Sequence, residues 1–171
     1  MLKKSLNEIL YNKILNFIAY KPRTINEVIS KFNSVYNSLL KTNPGLSDQN
    51  EERALLMTEL QSLGLLNDLE YAKSYIKEKT GGTKSTSKKF IEIFLLKKGV
   101  DREIIEEAFA ETLFNSDSEK EAAQKLLDKK IKLLHDRPVR EIKRRVTQYL
   151  LSKGFSYDIV FPLVDTKTKF H

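Results

Sequence analysis

The feature that most constrains this fold is a helix–corner–helix pattern that occurs twice, at residues 90–109 and again at residues 146–160. Gly154 lies 55 residues after Gly99, and at this offset apolar residues align on both sides of each Lys-Gly corner. The aligned pairs are Leu95–Leu96 with Leu150–Leu151, Val100 with Phe155, and Ile104–Ile105 with Ile159–Val160. We interpret the pattern as an internal repeat of a helical unit. The alternative is a chance likeness, because Leu-Leu-x-Lys-Gly is an ordinary way to end a helix.

The composition favours long helices and excludes several classes of site. Of the 171 residues, 40% are hydrophobic and 31% are charged, with only 6 Gly and 4 Pro to interrupt helices. There is no Cys, which excludes disulfides and thiolate metal sites. No apolar run has the length of a membrane span and the N-terminus lacks a signal-peptide pattern. We therefore expect a cytoplasmic protein with no membrane partner.

Helix start and stop signals divide the chain into three groups of three helices, at residues 6–66, 67–114 and 118–165. In the first group the apolar periodicity weakens after Phe32, which predicts a long loop at residues 33–50, with a helical turn around residues 36–40 as a further option. A triplet of short helices buries little surface alone, so neighbouring triplets should stack. The sequence thus predicts an all-α fold of tandem three-helix repeats in an elongated, curved helical array.

Local signals predict several helix boundaries and buried faces. Capping boxes are predicted at Thr24–Glu27 and Ser118–Glu121, and further caps at Asn67 or Asp68 and at Ser85 or Ser87. The last helix should be short because it contains Pro162. The residues predicted to face inward include Leu55, Leu56, Leu60 and Leu63 in one helix and Val139, Ile142, Val146, Tyr149 and Leu150 in another.

No arrangement of residues suggests an enzyme or a cofactor site. The histidines, His135 and His171, are isolated from any cluster with metal-ligand spacing. The segment GGTKST at residues 81–86 differs from a phosphate-binding loop, because Thr83 separates Gly82 from Lys84 and a helix precedes it. We expect a protein that is not an enzyme and needs no cofactor.

The basic charge is concentrated in one region. The net charge is +7, and residues 120–153 hold 11 Lys+Arg against 4 Asp+Glu. Arg140, Lys143 and Arg144 recur at helical spacing, with Arg145 beside them, and the pair Lys88–Lys89 lies 55 residues before Lys143–Arg144. A repeated basic stripe could follow a phosphate backbone, and a solvated face is the alternative interpretation. The stripe lacks exposed interleaved aromatic residues and there is no Trp, which argues against base stacking as the main mode.

Three stretches of the chain follow a known pattern: YKPRTINEV at residues 20–28, LGLLNDLEYAKSYIKEK at residues 63–79, and the two corners at residues 95–105 and 150–160. In their order and spacing they resemble the RecX family, the bacterial regulatory proteins of the RecA recombinase. The chain departs from the family pattern at Asn67, where Asp is usual, and in lacking a Lys/Arg-Gly corner in its first unit.

The resemblance implies a regulator that binds the RecA–single-stranded DNA filament and modulates its recombinase and coprotease activities, with inhibition expected. The implied partners are the filament and single-stranded DNA, with duplex DNA as a further option, and we expect a monomer. The predicted contact residues are Lys21, Arg23, Lys88, Lys89, Arg140, Lys143, Arg144 and Arg145. Two alternatives stay open at this point: a helical module that binds DNA or RNA without sequence preference, and a protein–protein scaffold without a recombinase role.

Overall fold

The computed structural model describes residues 2–42, 48–81, 86–112, 114 and 116–168. Within these ranges the chain forms nine α-helices and no β-strand, which confirms the all-α prediction. The helices are α1 (Leu2–Tyr20), α2 (Ile25–Thr42), α3 (Gln49–Ser62), α4 (Asp68–Gly81), α5 (Lys88–Lys97), α6 (Arg102–Glu111), α7 (Ser116–Lys132), α8 (Val139–Ser152) and α9 (Tyr157–Thr168). None of these described helices is long and apolar enough to span a bilayer.

The chain divides into two compact units. Unit 1 consists of residues 1–71 and 96–104, and unit 2 consists of residues 72–95 and 105–171. The boundaries fall inside α4, α5 and α6, whereas α7, α8 and α9 lie wholly in unit 2. The division into three triplets at residues 6–66, 67–114 and 118–165 stays a prediction.

Unit 1 has a core built from α1, α2, α3 and the turn that follows α3. Its buried residues are Leu10, Ile14, Val28, Phe32, Val35, Tyr36, Leu56, Met57, Leu60 and Leu66. The inward face predicted for α3 was wrong in part, because Leu55 and Leu63 are 63% and 58% exposed. Met57, which the apolar spacing did not single out, is buried in their place.

The predicted loop at residues 33–50 was wrong over most of its length, because α2 continues to Thr42. Val35 and Tyr36 are buried, and the Tyr36 ring stacks on Phe32 with 5.7 Å between centroids. Burial of these side chains against unit 1 sustains the helix through a stretch of weak propensity. Residues 43–47 of the predicted loop lie outside the described residues. α3 then begins after Asp48, whose carboxylate accepts the amide of Asn50 at 2.7 Å.

The two candidate caps of α4 have different roles. Asn67 caps α4 itself, since its Oδ1 accepts the amide of Glu70 at 3.0 Å. Asp68 instead accepts the backbone N–H of Ile25, the first residue of α2, at 2.9 Å. Burial raises the pKa of the Asp68 carboxyl despite that hydrogen bond, and the charges of Asp101 and Glu27 act in the same direction as burial.

Unit 2 has a core formed by α7, α8 and α9. Its buried residues are Ala122, Ala123, Leu126, Leu127, Ile131, Ile142, Val146, Leu150, Phe155, Val160 and Val164. The capping box predicted at Ser118–Glu121 was wrong, because α7 begins at Ser116 and Ser118 lies inside the helix. The last helix is longer than predicted, since α9 runs to Thr168 with Pro162 within it. Pro162 is exposed, so the carbonyl that lacks its helical partner can be hydrated.

The two Lys-Gly corners have the same local structure. Gly99 and Gly154 have φ angles of 78° and 80°, a left-handed conformation that glycine adopts without penalty. Each glycine N–H donates to the carbonyl three residues earlier, at 2.9 Å in both corners. The next residues, Val100 and Phe155, are both 2% exposed. The residue alignment at the 55-residue offset thus holds in backbone geometry and in burial.

Candidate polyanion-binding surface

Helix α8 begins and ends where the sequence predicted, at Val139 and Ser152. Ile142, Val146 and Leu150 form its buried stripe, as expected from their i, i+4, i+8 spacing. The prediction that Val139 faces inward was wrong, since this side chain at the start of the helix is 41% exposed. The buried stripe leaves Arg140, Lys143, Arg144 and Arg145 exposed.

Two of these four cations form ion pairs within the described ranges and two do not. Lys143 forms an ion pair with Asp165 of α9, and the Arg145 Nε donates to Glu141 Oε1 at 2.7 Å. Arg140 and Arg144 have no ion-pair partner among the residues that the structure describes. They are four residues apart, so their Cα atoms are separated by about 6 Å along the helix axis. This pair of guanidinium groups can therefore bind an anion without first losing an internal partner.

The two lysines at the start of α5 are also unequal. The Lys88 Nζ lies 3.9 Å from Glu92 Oε1 and 4.9 Å from the centre of the Phe109 ring. Lys89 is exposed, and no described carboxylate pairs with it. Of these two residues, Lys89 is thus the more available to a ligand.

In unit 1, Arg23 takes part in packing. Its side chain is only 13% exposed, its Nε donates to the Phe17 carbonyl at 3.4 Å, and its guanidinium lies 3.9 Å from the centre of the Phe17 ring. Glu27 Oε1 is 3.8 Å from an Arg23 nitrogen. The neighbouring Lys21 is exposed. A role for either residue in ligand contact stays a prediction.

A buried hydroxyl that caps a helix also contacts a Lys-Gly corner, and this arrangement is found in both units. In unit 2, Ser87 Oγ accepts the amide of Phe90 at 3.3 Å and donates to the Lys153 carbonyl at 2.8 Å. In unit 1, Thr24 Oγ1 accepts the amide of Glu27 at 3.2 Å and donates to the Lys98 carbonyl at 2.7 Å. The sequence predicted Thr24 as a cap and Ser87 as one of two candidate caps, but the contacts with the corners appear only in the tertiary structure.

The corner in unit 1 carries an additional ion pair. The Lys98 Nζ lies 2.6 Å from Glu27 Oε1, and Glu27 also accepts the amide of Thr24, which confirms the predicted capping box. Burial favours the neutral form of Glu27, but the hydrogen bonds from Lys98 and Thr24 and the charges of Lys98 and Arg23 outweigh it. The pKa of Glu27 is therefore below its usual value, and the hydrogen bond to Glu27 raises the pKa of Lys98.

Sequence reasoning missed an exposed aromatic pair in unit 2. Tyr157 and Phe161 of α9 are 61% and 45% exposed, and their rings stack with 5.5 Å between centroids at an interplanar angle of 16°. Tyr157 lines a cleft of about 660 Å³ together with Leu151 and Lys89. The i, i+4 spacing of the two aromatic residues in the sequence was a usable signal.

Comparison with known proteins identifies the family. Residues 117–164 match the family model described as RecX, third three-helix domain, a match that covers most of α7, all of α8 and most of α9. Three curated relatives carry the name regulatory protein RecX. The protein from Finegoldia magna is 33% identical over 146 residues, which cover 85% of this chain and 65% of the relative. The proteins from Clostridium perfringens and Bacillus subtilis are 34% and 31% identical, and the alignments cover 68% and 91% of this chain and 53% of each relative.

Two crystal structures share the fold. RecX from Lactobacillus salivarius superposes with a TM-score of 0.75 at 27% identity, covering 98% of this chain and 99% of that one. A second structure, of regulatory protein RecX, has a TM-score of 0.71 at 23% identity and covers 96% of this chain and 74% of that one. The chain spans about half to two thirds of the length of the curated relatives. From the family model, the relatives and the shared fold together, we conclude that this chain belongs to the RecX family of regulatory proteins.

Proposed function

We propose that this protein binds the RecA–single-stranded DNA filament and lowers its recombinase and coprotease activities. Its membership of a family of regulatory proteins supports a regulatory role. The partner in this proposal is RecA, because the RecX family is the family of regulatory proteins of the RecA recombinase. The observation that carries the proposal is the exposed Arg140–Arg144 pair, which lies within the region matched by the family's third three-helix domain.

The chemistry of this pair suits a nucleoprotein filament. Guanidinium groups bind phosphate oxygens through two parallel hydrogen bonds and stay charged at any physiological pH. An ion pair inside the protein competes with phosphate for the same cation. Lys143 and Arg145 already form ion pairs with residues of unit 2. We therefore expect Arg140 and Arg144 to contribute more to filament binding than their two paired neighbours on α8.

The test measures ATP hydrolysis by RecA on single-stranded DNA while the purified protein is titrated. The unmodified protein should reduce the rate, and the Arg140→Glu/Arg144→Glu variant should require at least about tenfold more protein for the same reduction, since charge reversal replaces two attractions with two repulsions. The matched control is Lys13→Glu/Lys41→Glu, which makes the same change in net charge at exposed positions of unit 1. It should behave much like the unmodified protein.

Two results would contradict the proposal. The first is a protein that leaves RecA hydrolysis unchanged at every ratio, measured with the RecA of the same organism. The second is an equal loss of effect in both double variants, which would show a response to net charge and not to the α8 surface.

A further inference from the structure

The exposed aromatic pair on α9 is not part of the core of unit 2. Tyr157 and Phe161 stack on each other, while Val160 and Val164 of the same helix are at most 1% exposed and form the core contact. Large aromatic side chains that stay exposed as a contiguous patch commonly mark a binding site. The flat ring faces can stack with nucleobases, and such stacking accepts any base because every base has a π-face.

The packing of α9 on α8 places this pair beside the exposed cations of α8. The corner at Gly154 reverses the chain, so that Leu151 near the end of α8 and Tyr157 at the start of α9 line one cleft. Further from the corner, the ion pair between Lys143 and Asp165 joins the same two helices. Phe161 is four residues from both Tyr157 and Asp165 and thus lies on the same edge of α9. The aromatic edge of α9 therefore runs along α8 from Leu151 towards the turn that carries Arg144.

Charged groups at both ends of this edge favour an anionic ligand. Lys88, Lys89, Glu92 and Glu119 line the cleft with Tyr157. Both acidic residues interact with Lys88, since Glu92 lies 3.9 Å from its Nζ and Glu119 accepts its backbone N–H at 3.1 Å. Lys89 is left at one end and Arg144 and Arg140 at the other, each exposed and without an ion pair within the described part of the chain.

We propose that Tyr157 and Phe161 form a stacking platform for single-stranded nucleic acid, with Lys89 and the Arg140–Arg144 pair contacting the phosphates on either side. Aromatic faces flanked by cations suit a strand in which bases alternate with phosphates. A duplex keeps its bases stacked inside the helix, so it can use the cations but not the platform. This inference deepens the proposed function and rests on it for its biological setting, although the binding chemistry itself needs no recombinase.

The experiment measures the fluorescence anisotropy of a labelled oligothymidine of about 20 nucleotides, and of a duplex of the same length, at several salt concentrations. Stacking is worth about 1–3 kcal/mol per base, so Tyr157→Leu/Phe161→Leu should weaken single-strand binding by about five- to one-hundredfold. Duplex binding should change by less than about twofold. The two leucines retain apolar bulk and remove the ring faces, and the side chains are exposed, so the urea denaturation curve should not move.

Two comparisons separate the platform from general effects. Tyr20→Leu removes an aromatic side chain that is 83% exposed in unit 1, and it should leave single-strand binding unchanged. The salt dependence should separate stacking from charge. Three phosphate contacts predict a slope of about −2 in log affinity against log salt on a single strand, and the aromatic variant should keep this slope while Arg140→Glu/Arg144→Glu reduces it.

Three results would overturn the proposed platform. The aromatic variant could lose single-strand and duplex binding equally, or it could lose neither. Tyr20→Leu could lose as much single-strand binding as the aromatic variant. An aromatic variant that loses its effect on RecA while binding oligothymidine normally would also overturn it, since the pair would then be a protein contact. The outcomes for the two proposals are distinguishable. Oligothymidine binding that depends on the rings supports the platform even if RecA hydrolysis does not respond to the protein.

Discussion

Alanine substitution of the three left-handed glycines offers a sharp test of the packing at the Lys-Gly corners. Gly64, Gly99 and Gly154 have φ angles of 68°, 78° and 80°. Placing an L-residue in this conformation costs roughly 1–2 kcal/mol at any of the three. The substitutions should therefore differ only in what the new methyl group meets.

The surroundings of the three positions differ strongly. A Cβ on Gly64 would have no heavy atom within 4 Å, so the conformational cost is the whole expected loss, roughly 1–2 kcal/mol. A Cβ on Gly154 would lie 2.6 Å from Ser87 Oγ and against an edge carbon of the Phe90 ring. Movement of the Ser87 side chain would break its hydrogen bond to the Lys153 carbonyl, worth about 0.5–1.5 kcal/mol. The total for Gly154→Ala is then roughly 1.5–3.5 kcal/mol.

Gly99→Ala should be the most destabilising of the three. Its Cβ would lie 2.5 Å from the Cβ of Asn26, which is attached directly to the backbone of α2 and cannot rotate away. Relief requires displacement of the corner from α2, which also strains the Thr24 hydrogen bond to Lys98. We expect the loss to exceed that of Gly154→Ala by at least about 1 kcal/mol.

The assay is urea denaturation followed by circular dichroism at 222 nm, with the free energy of unfolding fitted for each variant. The expected order of loss is Gly64→Ala, then Gly154→Ala, then Gly99→Ala. Similar losses at all three positions would refute the reasoning, because the close approaches of Gly99 to Asn26 and of Gly154 to Ser87 would then have no energetic effect. A larger loss at Gly64 than at Gly154 would refute it more directly.

Two further predictions concern the residues that contact the corners. Ser87→Ala removes both the cap of α5 and the bond to Lys153, so the free energy of unfolding should fall by about 1–2 kcal/mol in the same assay, whereas Ser30→Ala, at an exposed position of α2, should change it by less than about 0.5 kcal/mol. Because the pKa of Glu27 is lowered in the folded state, its contribution to stability should be complete above the usual pKa of 4.5 and lost as the pH falls through the folded value. The difference in unfolding free energy between the unmodified protein and Glu27→Gln should thus be constant from pH 6 to 8 and shrink in acid, and a difference that grows in acid would contradict the assignment.

The sequence was most informative where several local signals agreed. Helix α8 was predicted to the residue because Pro138 precedes it, Gly154 closes the corner after it, and its apolar residues recur at helical spacing. The prediction failed where packing outweighed weak local propensity. Helix α2 continues through residues 33–42 because Val35 and Tyr36 are buried in the core of unit 1.

The candidate site shows the same division. Spacing alone showed that Arg140 and Arg144 share an exposed face, but the ion pair of Lys143 with Asp165 joins residues 22 positions apart and has no local signature. The argument against base stacking, that no exposed aromatic residues interleave with the basic stripe, considered α8 alone. Tyr157 and Phe161 come beside it only because the chain reverses at Gly154.

The sequence by itself determined the helical class, the repeated corner, the cap at Thr24, and the concentration of positive charge near α8. These properties depend on periodicity, on glycine and on residues a few positions apart, which act before the chain is folded. Only the tertiary structure decided which cations stay unpaired, which hydroxyl meets which distant carbonyl, and which aromatic residues stay exposed. Each of those outcomes depends on neighbours supplied by another helix, and the choice among possible neighbours is made by packing the whole unit.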